Sequence, residues 1–217
     1  MFHLLPPLHA SVRTEYIWQS AKDHAIQTAD EGEGRMRQRI RRHIVLIGMM
    51  GAGKTAIGTE IARRLQVPFT DSDAEIETAA AMSISEIFAR DGEAFFRERE
   101  TQVLARILDG PPGVVSTGGG AWMRAENRAL IRGRALSVWL NCDLETLWHR
   151  VRQRSTRPLL KTPDPKATLA TLIAQRYPLY AEAELTFDAR PGDSVEAAAT
   201  RLIAAISAAH PDLLEAR

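Results

Sequence analysis

Gly48-Met49-Met50-Gly51-Ala52-Gly53-Lys54-Thr55 satisfies the pattern G-x-x-x-x-G-K-[ST] at every required position. Before it stands His43-Ile44-Val45-Leu46-Ile47, a short apolar run rich in β-branched residues, which reads as a buried parallel strand. After it, Ile57, Ile61, Ala62 and Leu65 recur at helical spacing, so Ala56 to Leu65 reads as an amphipathic helix. Strand, glycine loop and helix are the context in which this pattern cradles phosphate. The glycines let backbone N–H groups close round an anion that side chains would hold off. The helix N-terminus adds partial positive charge at the same place. Lys54 is placed to reach the β- and γ-phosphates of a nucleotide, and the Thr55 hydroxyl to ligate Mg²⁺.

The chain beyond the loop alternates strand-like and helical stretches. Val67 to Thr70 reads as a second strand ending in Asp71-Ser72-Asp73, and Val114 to Ser116 as a third ending in Thr117-Gly118-Gly119-Gly120. Leu136 to Leu140 reads as a fourth, followed by Asn141-Cys142-Asp143, and Leu185 to Asp188 as a fifth. Such alternation implies an α/β fold with a parallel sheet covered on both faces. Ligands of these sheets bind beyond the carboxyl ends of the strands, where four of the five ends carry chemistry-bearing residues. A helical insert, Ala74 to Leu108, separates strands two and three. Ser83-Ile84-Ser85-Glu86 inside it is a capping box. Gly92 interrupts its period, and Phe96, Val103, Leu104 and Ile107 mark a core face of the helix that resumes at Glu93.

A chain of 217 residues with 45% apolar and 25% charged residues suits one domain with a substantial core. Net charge of +1 carries no general bias toward nucleic acid or anionic membrane, so neither is expected as a partner. Cys142 is the only cysteine, which excludes an intrachain disulfide and fits a reducing, cytoplasmic setting. Following an apolar strand, it reads as a buried thiol rather than a nucleophile. No apolar run approaches the roughly 18 residues of a membrane span. Residues 1–40, with prolines, histidines and an arginine cluster from Arg35 to Arg42, read as a poorly ordered extension. Met36 is an alternative start within it. Residues 41–210 form the expected domain and 211–217 a tail.

Three further groups bear on chemistry. Asp71 and Asp73 could supply one carboxylate near Mg²⁺ and another near an attacking hydroxyl. Alternate strand residues share a face, so both carboxylates point toward the loop if the strand continues through Asp73; the plainer alternative is a helix cap. Arg97, Arg99, Arg157 and Arg176 stand near expected pocket walls and have the forked geometry that suits carboxylates and phosphates. Arg157 lies in a stretch from Arg152 to Lys166 rich in Arg, Thr, Pro and Lys, which reads as a lid excluding water from a phosphoryl group. Arg150, Arg152 and Arg154 read mainly as solvated helix-end charges, with room for one of them to brush a nucleotide phosphate. Gly118-Gly119-Gly120 allows a ligand to approach the backbone closely, or simply makes a tight turn.

Together these residues resemble the shikimate kinase family over roughly residues 43–205. The carriers are Gly48 to Thr55, Asp71-Ser72-Asp73, Gly92 to Glu100, Thr117 to Gly120, Arg157-Pro158-Leu159-Leu160 and Arg176-Tyr177-Pro178-Leu179-Tyr180. The resemblance implies a five-stranded parallel sheet in the order 2-3-1-4-5 and phosphorylation of the 3-hydroxyl of shikimate by ATP, with Mg²⁺. It implies that Gly51, Ala52, Gly53, Lys54, Thr55, Ala56 and Arg157 contact ATP, and that Lys54, Asp73 and Arg157 act in transfer. Asp73, Arg97, Gly118, Gly119, Gly120 and Arg176 would bind shikimate, Glu100 would orient Arg97, and Thr55 and Asp71 would serve the metal. A monomer is expected. Ala56 departs from the family's frequent threonine, and Arg190 to Asp193, on the adenine side, matches poorly. A gluconate or nucleoside-monophosphate kinase is the rival enzyme reading. A nucleotide-binding module without catalysis is the rival from another class.

Overall fold

A computed structural model describes residues 40–152, 158–160 and 162–214 of the chain. The expected extension, apart from Ile40, and part of the expected lid, including Arg157, lie outside the described residues. Five parallel strands run in the order β2-β3-β1-β4-β5. They are β1 (His43–Ile47), β2 (Phe69–Asp71), β3 (Val114–Ser116), β4 (Ala135–Asn141) and β5 (Leu185–Asp188). The helices are α1 (Lys54–Leu65), α2 (Ser72–Ala80), α3 (Ile84–Leu108), α4 (Ala125–Arg134), α5 (Leu144–Val151), α6 (Pro165–Tyr180) and α7 (Val195–Ala209). β1 is central and all five of its residues are buried, which is why it reads as an unbroken apolar run rather than an alternating one. It pairs with β3 from Ile44 opposite Val114 and with β4 from His43 opposite Ala135. The chain therefore leaves β1 toward one side for β2 and β3, and reaches the other side at β4. A crevice opens where the two directions part, above the end of β1.

The main core is built from β1, β3 and β4 with the inner faces of α1 and α7, including Ile44, Leu46, Ile61, Leu136, Leu202 and Ile206. A second, smaller cluster joins Ile76 of α2 to Ile87, Phe96 and Val103 of α3. Of the expected core face of α3, Leu104 belongs to the main core and Phe96 and Val103 to the smaller one, while Ile107 is partly buried against both. The insert is thus a helical pair with its own apolar interior, anchored to the sheet at the far end of α3. At Gly92 the backbone takes φ 82° and ψ 173°, breaking α3 into two limbs. A residue with a β-carbon would be strained there. Ile40, at the edge of the expected extension, is buried and bridges Leu214 in antiparallel fashion.

The capping box at the head of α3 is formed on both sides. The Ser83 hydroxyl accepts from the Glu86 N–H at 3.3 Å, and the Glu86 carboxylate accepts from the Ser83 N–H at 2.8 Å. Ser83→Ala is expected to cost about 1 kcal/mol of stability, read as a lower urea midpoint at unchanged slope. An unaltered midpoint would show that the cap contributes nothing.

Candidate active site

The phosphate loop turns directly into α1. Gly53 is the N-cap residue with φ 96°, a left-handed conformation that glycine enters at little cost. The first-turn N–H groups of an α-helix have no acceptor within the helix. No side chain caps α1 and its first turn holds no acid, so the dipole's positive end is left for an anion. The Lys54 ammonium is held back over the loop by the carbonyls of Gly48 at 3.0 Å and Met49 at 3.1 Å. From there it faces a cavity of about 800 Å³ lined also by Thr55, Asp71, Asp73, Gly118 and Gly119. Ala56 is among its lining residues, as are Gly51 and Gly53.

The two aspartates do not share a strand face. β2 ends at Asp71, and Asp73 already lies in the first turn of α2. The expectation of strand alternation through Asp73 is therefore corrected. Asp71 caps α2, accepting from the N–H of Asp73 at 3.1 Å and of Ala74 at 3.5 Å. Its other oxygen accepts from the Thr55 hydroxyl at 2.9 Å. The cap and the link to the loop are thus made by one carboxylate with two oxygens. Helix geometry, set by that cap, is what brings Asp73 into the cavity. Burial pushes the Asp73 carboxyl above its usual range, the neighbouring charge of Asp71 adds to this, and Lys54 opposes it.

The triple glycine runs past three charged groups. A β-carbon on Gly118 would stand 2.5 Å from an Asp73 oxygen, and one on Gly120 would stand 2.6 Å from Arg97 Nη1. One on Gly119 would stand 3.4 Å from Arg176 Nη1. The missing side chains are what allow an acid and two guanidinium groups to crowd one short wall. Arg97 is held from both ends of its fork. It donates to Glu100 at 2.9 Å and to Glu93 at 3.2 Å, and stacks over Phe96 with its central carbon 5.0 Å from the ring centre. Glu100 is only 1% exposed. Burial raises its pKa and the Arg97 charge pulls it back. Arg176 donates to the Gly119 carbonyl at 3.1 Å. Arg99 stacks over Phe95 and donates to Gln102.

Arg150 is not the solvated helix-end charge read from the sequence. It is half-buried and donates to the Gly51 carbonyl at 3.2 Å, and it lines the cavity with Val151. Its guanidinium also lies 3.9 Å from the Cys142 sulfur, which is buried as expected. At the other end the cavity is bounded by Ala189, Arg190, Asp193, Ser194 and Val195. The segment from Arg190 to Asp193 is thus a wall, although it carries no clear motif. Val195, 38% exposed at the head of α7, was a faint sequence signal: an apolar residue opening a helix on its solvent side.

A glycine loop at a helix N-terminus, an oxygen pair beside it and a carboxylate across the same cleft define a P-loop phosphotransferase of the small-molecule kinase type. The shikimate kinase family model matches residues 50–207, and the chain belongs to that family. It is 56% identical to a shikimate kinase of Cereibacter sphaeroides over 177 residues, covering 82% of this chain and 88% of that protein. A shikimate kinase of Ruegeria pomeroyi is also 56% identical, over 81% of this chain and 90% of its own length. Among solved structures, shikimate kinase from Acinetobacter baumannii in complex with shikimate superposes with a TM-score of 0.74 at 36% identity. That likeness covers 78% of this chain and 94% of the other.

Proposed function

We propose that this chain transfers the γ-phosphoryl group of ATP to the 3-hydroxyl of shikimate, giving shikimate 3-phosphate and ADP. The observation that carries this reading is the order of groups along one cleft. Lys54, the head of α1 and Asp73 line the cavity with Gly118 and Gly119, and Arg97 and Arg176 lie against the same glycine wall at Gly120 and Gly119. A small hydroxylated acid needs that order: cations for its carboxylate at one end and a carboxylate for its hydroxyls at the other.

Lys54, with the loop N–H groups of Gly51, Ala52 and Gly53 and the first turn through Ala56, takes the β- and γ-phosphates in this proposal. Arg150 lies against the same loop. Arg157, read from the sequence as a lid residue, is assigned to the transferring phosphoryl group. Asp73 orients the acceptor hydroxyl and takes its proton, a task that a raised carboxyl pKa suits. Arg97 and Arg176 grip the carboxylate, and Glu100 aligns Arg97 through the buried pair. Mg²⁺ belongs to the proposal because Thr55 Oγ1 and Asp71 Oδ2 stand 2.9 Å apart and offer hard oxygen atoms beside the phosphate cradle. Mg²⁺ is commonly held by one or two carboxylates together with substrate phosphates. When bound it neutralises charge on the β- and γ-phosphates.

A monomer is part of the proposal, and sedimentation equilibrium tests it. No helix among the described residues is long and apolar enough to cross a membrane. A reducing cytoplasm suits the lone buried thiol. The direct test is ADP release with shikimate, with gluconate, and with the methyl ester of shikimate. Turnover confined to shikimate, with the ester poorly used, supports the reading. Equal use of gluconate would overturn it.

Gly120→Ala probes the carboxylate end without removing a charge. Arg97→Ala is less informative, since stranding buried Glu100 would cost about 3–5 kcal/mol. Gly120 has φ −97°, which alanine tolerates, so the fold should persist. Its new methyl group displaces the Arg97 guanidinium, and the KM for shikimate is expected to rise at least about tenfold with the KM for ATP little altered. Unchanged shikimate kinetics would place Arg97 outside the acceptor site.

A further inference from the structure

The last turn of α6 carries Arg176, but its neighbours Tyr177, Leu179 and Tyr180 have so far been given no part in the site. The turn is pinned at three places. The Tyr177 hydroxyl donates to the Cys142 carbonyl, and the Trp122 indole N–H donates to the Leu179 carbonyl at 2.7 Å. The Tyr180 hydroxyl donates to the Gly119 carbonyl at 2.5 Å. The third is the one that meets the cleft. Tyr180 is 0% exposed, and its oxygen also stands 3.9 Å from the sulfur of Met49 in the phosphate loop.

Gly119 is confined on two sides. A β-carbon there would stand 3.4 Å from Arg176 Nη1, 3.6 Å from the Gly48 carbonyl and 3.9 Å from the Met50 nitrogen. Its carbonyl is the common acceptor of Tyr180 and Arg176. The ring of Tyr180 packs with Trp139 and Tyr177, at centroid distances of 6.1 and 6.2 Å. A phenylalanine would fill that space equally well, so the hydroxyl needs a separate reason. A carbonyl with two lone pairs accepts two bonds. While the phenol occupies one, Arg176 spends a single N–H on it and keeps the rest of its fork for an acid.

We propose that the Tyr180 hydroxyl is a positioning group for the carboxylate end of the acceptor site, setting the Arg176 guanidinium against the glycine wall through their shared acceptor, Gly119. Tyr180 touches no reacting atom. The inference rests on the reading of Arg176 as a carboxylate ligand.

The test is steady-state kinetics of the full chain, varying shikimate and ATP separately, for the unmodified protein, Tyr180→Phe, Arg176→Ala and the double variant. Tyr180→Phe is expected to raise the KM for shikimate about three- to tenfold, the range of one buried hydrogen bond, with kcat and the KM for ATP within about twofold. On the Arg176→Ala background the same change should shift the KM by less than about twofold, because interacting residues are not additive. Equal shifts for both substrates, or full additivity in the double variant, would leave the hydroxyl a packing role only. A raised KM in Arg176→Ala with none in Tyr180→Phe sinks this inference alone. No phosphorylation of shikimate by the unmodified chain sinks the functional reading and this inference with it. Calorimetric binding of shikimate below the unfolding midpoint keeps the comparison readable if Tyr180→Phe is less stable.

Discussion

Lys54→Met is expected to lower kcat about 10²- to 10³-fold, the usual loss when one preorganised charge leaves a transition state. Methionine keeps the unbranched stem and loses the ammonium. In the structure that ammonium is anchored by the Gly48 and Met49 carbonyls in the wall of the cavity that Asp73 also lines. In the proposed reaction it would stand where negative charge develops between the nucleotide and its acceptor. The variant loses two hydrogen bonds to the loop, so its unfolding midpoint should fall slightly while far-UV circular dichroism stays the same. Near-normal turnover in a folded variant would remove Lys54 from phosphoryl transfer.

Asp73→Asn should lower kcat by about 10²- to 10⁴-fold, the range for loss of a positioned base, with ATP affinity nearly unchanged. The asparagine is isosteric but cannot take the proton. Collapse of ATP affinity instead would mean that this carboxylate serves the nucleotide. The pH dependence follows from the direction of its shift. Burial and Asp71 hold the Asp73 pKa above its ordinary value, so the acid limb of kcat/KM in the unmodified protein should lie above the usual aspartate range near 3.9. The consequence for stability has the opposite sense from that of a salt-bridged acid. A raised folded-state pKa means that the native state holds its proton longer than the unfolded chain does. The penalty is absent below the unfolded pKa and grows as pH rises through the folded one. At neutral pH Asp73→Asn should then be as stable as the unmodified protein or more so. A clear loss of stability in thermal melts at pH 7 would contradict the burial argument.

The segments that carried their own chemistry were legible without coordinates. β1 announced itself because a strand covered on both faces must be apolar throughout. The capping box and the Gly92 break showed for similar reasons, since both are satisfied within a few residues. Asp71 and Asp73 were found, but the reason first given for their convergence was wrong. Asp71 ends the strand by capping the next helix, the plainer alternative the sequence had offered, and the cap's hydrogen bonds decide between the two readings. Arg150 was read as solvated because its helix gives no sign of what packs against it. Its partners are loop carbonyls about a hundred residues earlier in the chain. Tyr180 was legible only as part of the run Arg176 to Tyr180, with no role of its own, since its acceptor at Gly119 belongs to another element.

Local grammar sufficed for the class of fold, the phosphate cradle and the family. Each of those depends on residue types at short, fixed spacing, and backbone stereochemistry reads such spacing directly. The distances across the cleft arise differently. Asp73, Arg97 and Arg176 come from three helices, and they meet only because the sheet order sets β3 beside β1 and runs the bare glycine wall between them. Which face of each helix turns inward is settled by packing against distant apolar side chains, and no stretch of sequence contains both halves of such a contact.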